Sequence, residues 1–164
     1  IRVVCANTLS MAHSNDASKL IRVRHHKGVA KNVDDLREVI NTANAEFEAT
    51  AEQYRVLAHK NTVSAYDVKK YFKIVLGVNV QADEELTPQQ EKKVGLLFQL
   101  FEGAGKGASL LGVKGTMWGA YNAVSEFLTY TQGRNTDTRL NSLWFGQGQN
   151  MNRFALEQAM ALSV

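Results

Sequence analysis

The 164-residue sequence contains very little cysteine and very little proline. Its single cysteine, Cys5, can neither close a disulfide within the chain nor build a thiolate metal site alone. We therefore expect the fold to depend on apolar burial, with Cys5 as a small core residue. The single proline, Pro88, leaves uninterrupted helices possible almost everywhere else.

Long apolar runs are also absent. None approaches the roughly 18 residues that a membrane-spanning helix needs, and residues 1–9 lack the features of a signal peptide. The composition, 45% hydrophobic and 21% charged, is typical of an ordinary globular domain. We expect a soluble, cytoplasmic protein with no membrane partner, in which residues 1–164 form a single domain or the carboxy-terminal part of a larger one.

The sequence contains no complete motif of known chemistry. The four histidines do not occur at zinc-protease spacing, and the glycine-rich residues 102–109 match neither a P-loop nor a dinucleotide fingerprint. We expect no catalytic residues, no metal and no cofactor, so the sequence favours a non-enzymatic protein. An enzyme whose site is shared with chain outside this sequence stays open as an alternative.

Apolar periodicity predicts mostly helix. From Val33 to Leu57 apolar residues recur at alternating intervals of three and four, which predicts one helix of about seven turns with Ile40, Phe47 and Tyr54 buried. Acidic residues near its start and basic residues near its end suit the helix dipole.

Further helices are marked by their caps and apolar faces. Ser64 and the Thr87-Pro88 pair resemble helix starts, and Gly77 resembles a helix end. The predicted helices cover residues 65–76, 88–101, 117–131 and 140–145, and a last helix begins near Asn150. The last helix is expected to pack against the 117–131 helix and to bury Met151, Phe154, Ala155, Ala159 and Leu162. Five glycines predict a loop over residues 103–115.

The beginning of the chain is less regular than the rest. Residues 3–12 favour a short helix, with a strand as the alternative, and residues 20–26 alternate apolar and basic side chains as a strand does. The fold class expected is mainly α, with about six helices and one or two short strands near the beginning. This segment would be the helical half of a larger α+β protein.

Positive charge is concentrated at the two ends of the chain, and residues 33–60 are acidic. Residues 19–31 contain five Lys or Arg and no acid, the pattern that polyanion binding requires. A solvated strand and turn without a ligand is the alternative interpretation. The candidate nucleic-acid-binding residues are Arg22, Arg24, His26, Lys27 and Lys31.

A second, weaker candidate lies in the later part of the chain. Trp118, Tyr121 and Tyr130 are aromatic residues that could stack on bases, although helical aromatics more often belong to the core. The basic residues near them in sequence, which form the secondary candidate site, are Lys106, Lys114, Arg134 and Arg139.

Three separated segments, taken together, resemble a known family. They are residues 2–9, residues 22–25, and residues 115–128 with 143–146 downstream. In this order they resemble the phage- and plasmid-encoded family called domain of unknown function 932. Members of that family are longer, so the resemblance implies an amino-terminal half that this sequence does not contain.

The resemblance implies no assigned activity and no catalytic residues. The carriage of the family by phages and plasmids suggests DNA replication, recombination or maintenance, which is an argument by association. We therefore expect a DNA-associated protein, a homo-oligomer that binds or anneals single-stranded DNA. The alternative is a structural or protein-interaction module of a mobile element that contacts its partner through the acidic 33–60 helix.

Overall fold

The computed structural model describes residues 2–3, 21–22, 29–59, 63–80, 85–133 and 135–163, with the backbone alone in the strands and in part of the first helix. Strands β1 (Arg2–Val3) and β2 (Ile21–Arg22) pair antiparallel, with Arg2 opposite Arg22. Of the segment 3–12, for which a helix or a strand was expected, only Val3 lies within the described residues, and it belongs to β1. Most of the expected strand over residues 20–26 lies outside the described residues.

Six α-helices account for most of the described chain, which confirms the mainly α fold class. Two short π-helical segments directly continue the third and fourth of these helices, and we call them the first and second π segments. The helices and segments are α1 (Val29–His59), α2 (Ala65–Val75), α3 (Pro88–Gln99), the first π segment (Leu100–Ala104), α4 (Met117–Glu126), the second π segment (Phe127–Thr131), α5 (Thr136–Phe145) and α6 (Gln147–Leu162).

The starts of α2 and α3 follow from their capping residues. The Ser64 side chain accepts a hydrogen bond from the backbone N–H of Asp67, and α2 ends just before Gly77, which has a φ of 77°. At α3, Thr87 and Gln90 form a complete capping box with proline at the first helical turn. These interactions satisfy backbone donors that the first turn of a helix leaves unpaired, and they confirm the predicted starts.

Helix α1 is continuous over 31 residues, as the apolar spacing predicts. The prediction that its whole stripe is buried is wrong. Leu57 is fully buried and Tyr54 half-buried, but Phe47 is 47% exposed. Every other described side chain of α1 before Thr50 is exposed too. Ile40 lies among the residues whose side chains are not described. Amphipathic spacing identifies a helix face, but it does not supply a neighbour to cover that face.

Helix α4 forms the centre of the core, and eight of its ten residues are buried. Its sequence is apolar almost all round, as expected of a helix enclosed by others. The predicted packing against the last helix is confirmed, because the Asn152 side-chain amide on α6 donates a 3.1 Å hydrogen bond to the Tyr121 hydroxyl. Among the largest fully buried side chains are Tyr71, Tyr121, Phe72, Leu57, Leu97, Leu128 and Leu143.

The helical path after α3 breaks at Gly103, whose φ is 150°, so the glycine-rich loop begins there as predicted. The predicted starts of the last two helices need correction. Helix α5 begins at Thr136, because the Asn135 side chain caps it by accepting from the Thr138 N–H at 2.8 Å. Helix α6 begins at Gln147, and Phe154 and Leu162, which we expected to be buried, are 38% and 44% exposed.

Candidate nucleic-acid interface

The primary basic candidates lie where the structure describes no side chains. Arg22 belongs to β2 and Lys31 to α1, with only their backbone described, and Arg24, His26 and Lys27 lie outside the described residues. Their role in nucleic-acid binding therefore stays a prediction.

Two of the secondary candidates meet at one exposed tyrosine. The Lys106 ammonium lies 4.0 Å from the centroid of the Tyr130 ring, and the Arg139 guanidinium donates to the Tyr130 backbone carbonyl at 3.3 Å. Tyr130 is 51% exposed. We call Lys106, Tyr130 and Arg139 the loop cluster. It places two cations and one aromatic ring, far apart in sequence, on a single surface.

The second π segment positions Tyr130 in this cluster. The backbone N–H of Gln132 donates to the carbonyl of Phe127, five residues earlier, at 2.9 Å. Phe127, Leu128 and Thr129 are buried, so the segment is fixed on its inner side. Tyr130 and Thr131 are the residues of the segment that remain exposed. π turns of this kind occur at the carboxyl ends of helices.

The glycine-rich loop that carries Lys106 is fixed at its base. The backbone N–H of Lys106 donates to a carboxylate oxygen of Glu126 at 2.8 Å, and the N–H of Val63 donates to the carbonyl of Gly115 at 2.8 Å. Gly119 lets the loop approach α4 closely, because a Cβ at this position would overlap the carbonyl oxygen of Val113. Lys106 is therefore presented from an ordered loop rather than from a free chain.

The other secondary candidates do not join the loop cluster. Lys114 is exposed near the end of the same loop, and no described contact links it to Tyr130. Leu110 and Leu111, at the tip of this loop, are both exposed. Arg134 lies outside the described residues.

Trp118 and Tyr121 are core residues, which confirms the interpretation of these helical aromatics as core and excludes base stacking by them. They are 8% and 1% exposed and pack with Tyr54 of α1, whose ring centroid lies 4.6 Å from that of Trp118. Burial is the main cause that raises the pKa of Tyr121 well above its ordinary value, and the neighbouring Tyr54 raises it further. Of the three aromatic candidates, only Tyr130 is presented to solvent.

Sequence analysis missed a basic groove between α2 and α3. Tyr66, Lys69, Lys70 and Lys73 line its α2 side. Their spacing of three, four and seven residues from Tyr66 is the signal that could have found it, since such residues share one helix face. The net charge of residues 61–102 does not reveal these lysines, because five basic residues there are balanced by six acidic ones.

Within the described ranges, His, Cys, Asp and Glu form no group of three or more that could hold a metal ion. His59 is exposed at the end of α1, where its Nδ1 lies 2.8 Å from the carbonyl oxygen of Arg55. None of the described helices has the length and apolarity needed to cross a bilayer.

Comparison with known proteins gives one match. The family model described as "Domain of unknown function (DUF932)" matches residues 1–144. No curated protein and no solved structure matches the chain.

Proposed function

The chain belongs to the DUF932 family, a domain of unknown function, so the family assigns it no activity. From the residues on its surface, we propose that the protein binds nucleic acid without reading the sequence. In this proposal the protein is a phage- or plasmid-type factor that binds or anneals single-stranded DNA during replication or recombination. The observation that carries the proposal is the loop cluster of Lys106, Tyr130 and Arg139.

The loop cluster has the two components that sequence-independent binding of single strands requires. Cationic side chains contact phosphates, and an exposed aromatic ring offers a surface on which any base can stack. Lys106 covers one face of Tyr130 at 4.0 Å, and the ring remains 51% exposed. A base stacking on the exposed part of the ring would bring its phosphate close to the two cations.

The surrounding charge supports the same proposal. Residues 103–125 contain two lysines and no Asp or Glu. The next residue, Glu126, uses its carboxylate to accept the Lys106 backbone N–H at 2.8 Å. Phosphate oxygens near the loop therefore meet little negative charge from this segment, and each phosphate contact gains free energy from counterion release.

The basic stretch near the beginning of the chain would extend this contact. Arg22, Arg24, Lys27 and Lys31, with His26 beside them, are the unopposed charges that motivate this part of the proposal. If the four Lys and Arg residues contact phosphates of a single strand, they contribute roughly −3 to the slope of log affinity against log salt. Their simultaneous replacement by alanine should flatten the slope by that amount.

The deciding experiment measures binding of the full chain to labelled single-stranded homopolymers at several salt concentrations. Replacing both Lys106 and Arg139 by alanine should reduce the salt slope by about 1.4, two contacts at about 0.7 each. Tyr130→Ala should weaken binding roughly ten-fold and leave the slope unchanged, because stacking releases no counterions.

A matched control removes two positive charges elsewhere. Arg55 and Arg153 are exposed, on α1 and α6, and their double alanine variant should bind as the unchanged protein does. An equal loss in both double variants would mean that net charge, not the loop cluster, governs binding. Absence of binding at low salt would overturn the proposal.

One observation favours the alternative of a protein-interaction module. Phe47 is 47% exposed on a helix where Glu48 and Glu52 are exposed too. If two copies of the chain meet at this part of α1, Phe47→Glu should lower the mass measured by light scattering. The alternative involves no nucleic-acid binding, so it also requires that the unchanged protein leave the homopolymers unbound. An unchanged mass, or bound homopolymers, would remove its support.

A further inference from the structure

We propose that the groove between α2 and α3 is a binding site for a single nucleotide, with its phosphates on the lysines and its planar ring against Tyr66. The groove has a volume of about 390 Å³, within the range of small-molecule sites. The proposal goes beyond the function assigned to the loop cluster, because it rests on other residues.

One face of α2 supplies the positive side of the groove. Lys69, Lys70 and Lys73 line it, and within the described part of the chain none of the three forms a salt bridge. Like charges three and four residues apart on a helix repel each other, so this arrangement lowers helix stability when no anion is present. A group of phosphates would neutralise the three ammonium groups together.

The position of Lys69 is already restricted in the absence of a ligand. Its ammonium lies 4.7 Å from the centroid of the Phe98 ring on α3. This cation–π contact holds the charge at the α2–α3 boundary and reduces the freedom that phosphate binding would remove.

Tyr66 supplies the flat surface of the groove. It is 74% exposed and lines the groove together with the apolar residues Val80 and Leu86. An exposed ring next to a cluster of cations suits a ligand that has both a planar ring and phosphates. Inorganic phosphate or a phosphorylated sugar would leave the ring uncovered.

The α3 side leaves room for the ligand. Gly95 lines the groove, and a Cβ built there would meet no atom within 4 Å. Val94 beside it is buried and forms part of the apolar lining. A large side chain at position 95 would therefore extend into the groove.

Two carboxylates make the charge of the site differ from one side to the other. Glu91 lines the groove opposite the lysines, and Glu85 lines an adjoining space of about 570 Å³ that shares Tyr66 and Lys73 with it. Carboxylates repel phosphate but accept hydrogen bonds from sugar hydroxyls. The ligand would therefore place its phosphates toward the three lysines, and its sugar toward Glu91.

The test is calorimetric titration of the full chain with ATP, adenosine and tripolyphosphate. ATP should bind at least ten-fold more tightly than either of the other two, since only ATP has both the ring and the phosphates. Equal affinity for ATP and tripolyphosphate would show a purely electrostatic surface and overturn the proposal, as would the absence of ATP binding.

Variants locate the site. Replacing Lys70 and Lys73 by alanine should weaken ATP binding at least ten-fold, whereas Tyr66→Ala should weaken ATP but leave tripolyphosphate unchanged. The matched control is the alanine double variant of Lys92 and Lys93, exposed residues of α3 that do not line the groove. A comparable loss of ATP binding in that control would contradict the site.

Gly95→Phe should abolish ATP binding and Gly95→Ala should preserve it, with thermal melting of both showing that the fold is retained. Retained binding in a folded Gly95→Phe protein would overturn the proposal. The double alanine variant of Lys106 and Arg139 should bind ATP normally, so failure of the loop cluster and failure of the groove are distinguishable.

A short oligonucleotide titrated in the same way separates the two sources of a nucleotide. If the groove variants weaken ATP alone, the ligand is a free nucleotide. If they weaken the oligonucleotide as well, the groove also takes one nucleotide of a strand, and both results support the site.

Discussion

The phenol of Tyr71 donates a 3.0 Å hydrogen bond to the backbone carbonyl of Ala155, 84 residues further along the chain. Tyr71 is fully buried on α2, and Ala155 is fully buried on α6. The bond joins α2, which forms one side of the groove between α2 and α3, to the last helix of the fold. It also satisfies the one polar group of a fully buried side chain.

Removal of this hydroxyl should have a measurable cost. Tyr71→Phe should lower the free energy of unfolding by about 1 kcal/mol, because it removes a buried hydrogen bond and keeps the ring. Tyr66→Phe on the same helix should change it by less than about 0.5 kcal/mol, since Tyr66 is 74% exposed. Denaturant titrations of both variants make the comparison, and equal losses would contradict the structure.

Stability should fall at alkaline pH. Burial raises the pKa of Tyr71 and of Tyr121 above the ordinary value of 10.0. Below about pH 10 both phenols are protonated in the folded and unfolded states, so stability is at its full value. Above it only the unfolded chain releases these protons, and the free energy of unfolding falls by about 1.4 kcal/mol per pH unit for each phenol.

Denaturant titrations at neutral pH and above pH 10, with tyrosinate absorbance as a second signal, check this expectation. Tyr71→Phe should show a shallower fall than the unchanged protein, since one of the two buried phenols is gone. An identical fall in both would assign the effect to other groups.

Two glycines in helices should respond oppositely to alanine. A methyl group at Gly119 would overlap the Val113 carbonyl oxygen, whereas one at Gly95 would meet nothing within 4 Å. Gly119→Ala should therefore destabilise the protein by about 1 to 3 kcal/mol. Gly95→Ala should stabilise it by about 0.5 to 1 kcal/mol, because alanine loses less backbone entropy in a helix. Thermal melts of both variants provide the test, and a shift of the same sign would count against it.

The two halves of α1 should differ in their sensitivity to truncation. Leu57 is fully buried, so Leu57→Ala should lower the free energy of unfolding by about 2 to 5 kcal/mol. Phe47 is 47% exposed, so Phe47→Ala should lower it by less than about 1 kcal/mol. Unfolding experiments at low protein concentration measure both values. Repeating them at high protein concentration tests for association, because a large loss for Phe47→Ala that appears only there would indicate that a second chain covers this ring in solution.

Much of the helical structure was predictable because the signals are local. Ser64 and Thr87 cap helices by hydrogen bonds to residues three positions later, and such interactions are visible in sequence. The burial of Phe47 was predicted incorrectly because it depends on whether another helix lies opposite. That is a property of the tertiary fold rather than of the spacing.

The candidate site was predictable only in part. Lys106, Tyr130 and Arg139 were identified as residue types, but their meeting depends on the second π segment, for which the sequence has no distinct signal. The groove between α2 and α3 was not predicted, because the net charge of a segment does not show which of its residues share a helix face. Its lysines share one helix face, and the acids that balance them in sequence lie partly elsewhere.

The second π segment, Phe127–Thr131, makes this surface sensitive to chain length. Its hydrogen bond spans five residues where an α-helix spans four, so the segment contains one residue in excess of α-helical spacing. Deleting that residue would keep the helix but rotate the following side chains by about 100° relative to the core. Tyr130 would then turn away from Lys106 while the buried residues of α4 kept their places. A relative with a single-residue insertion or deletion in this segment would therefore keep the core but lose the loop cluster.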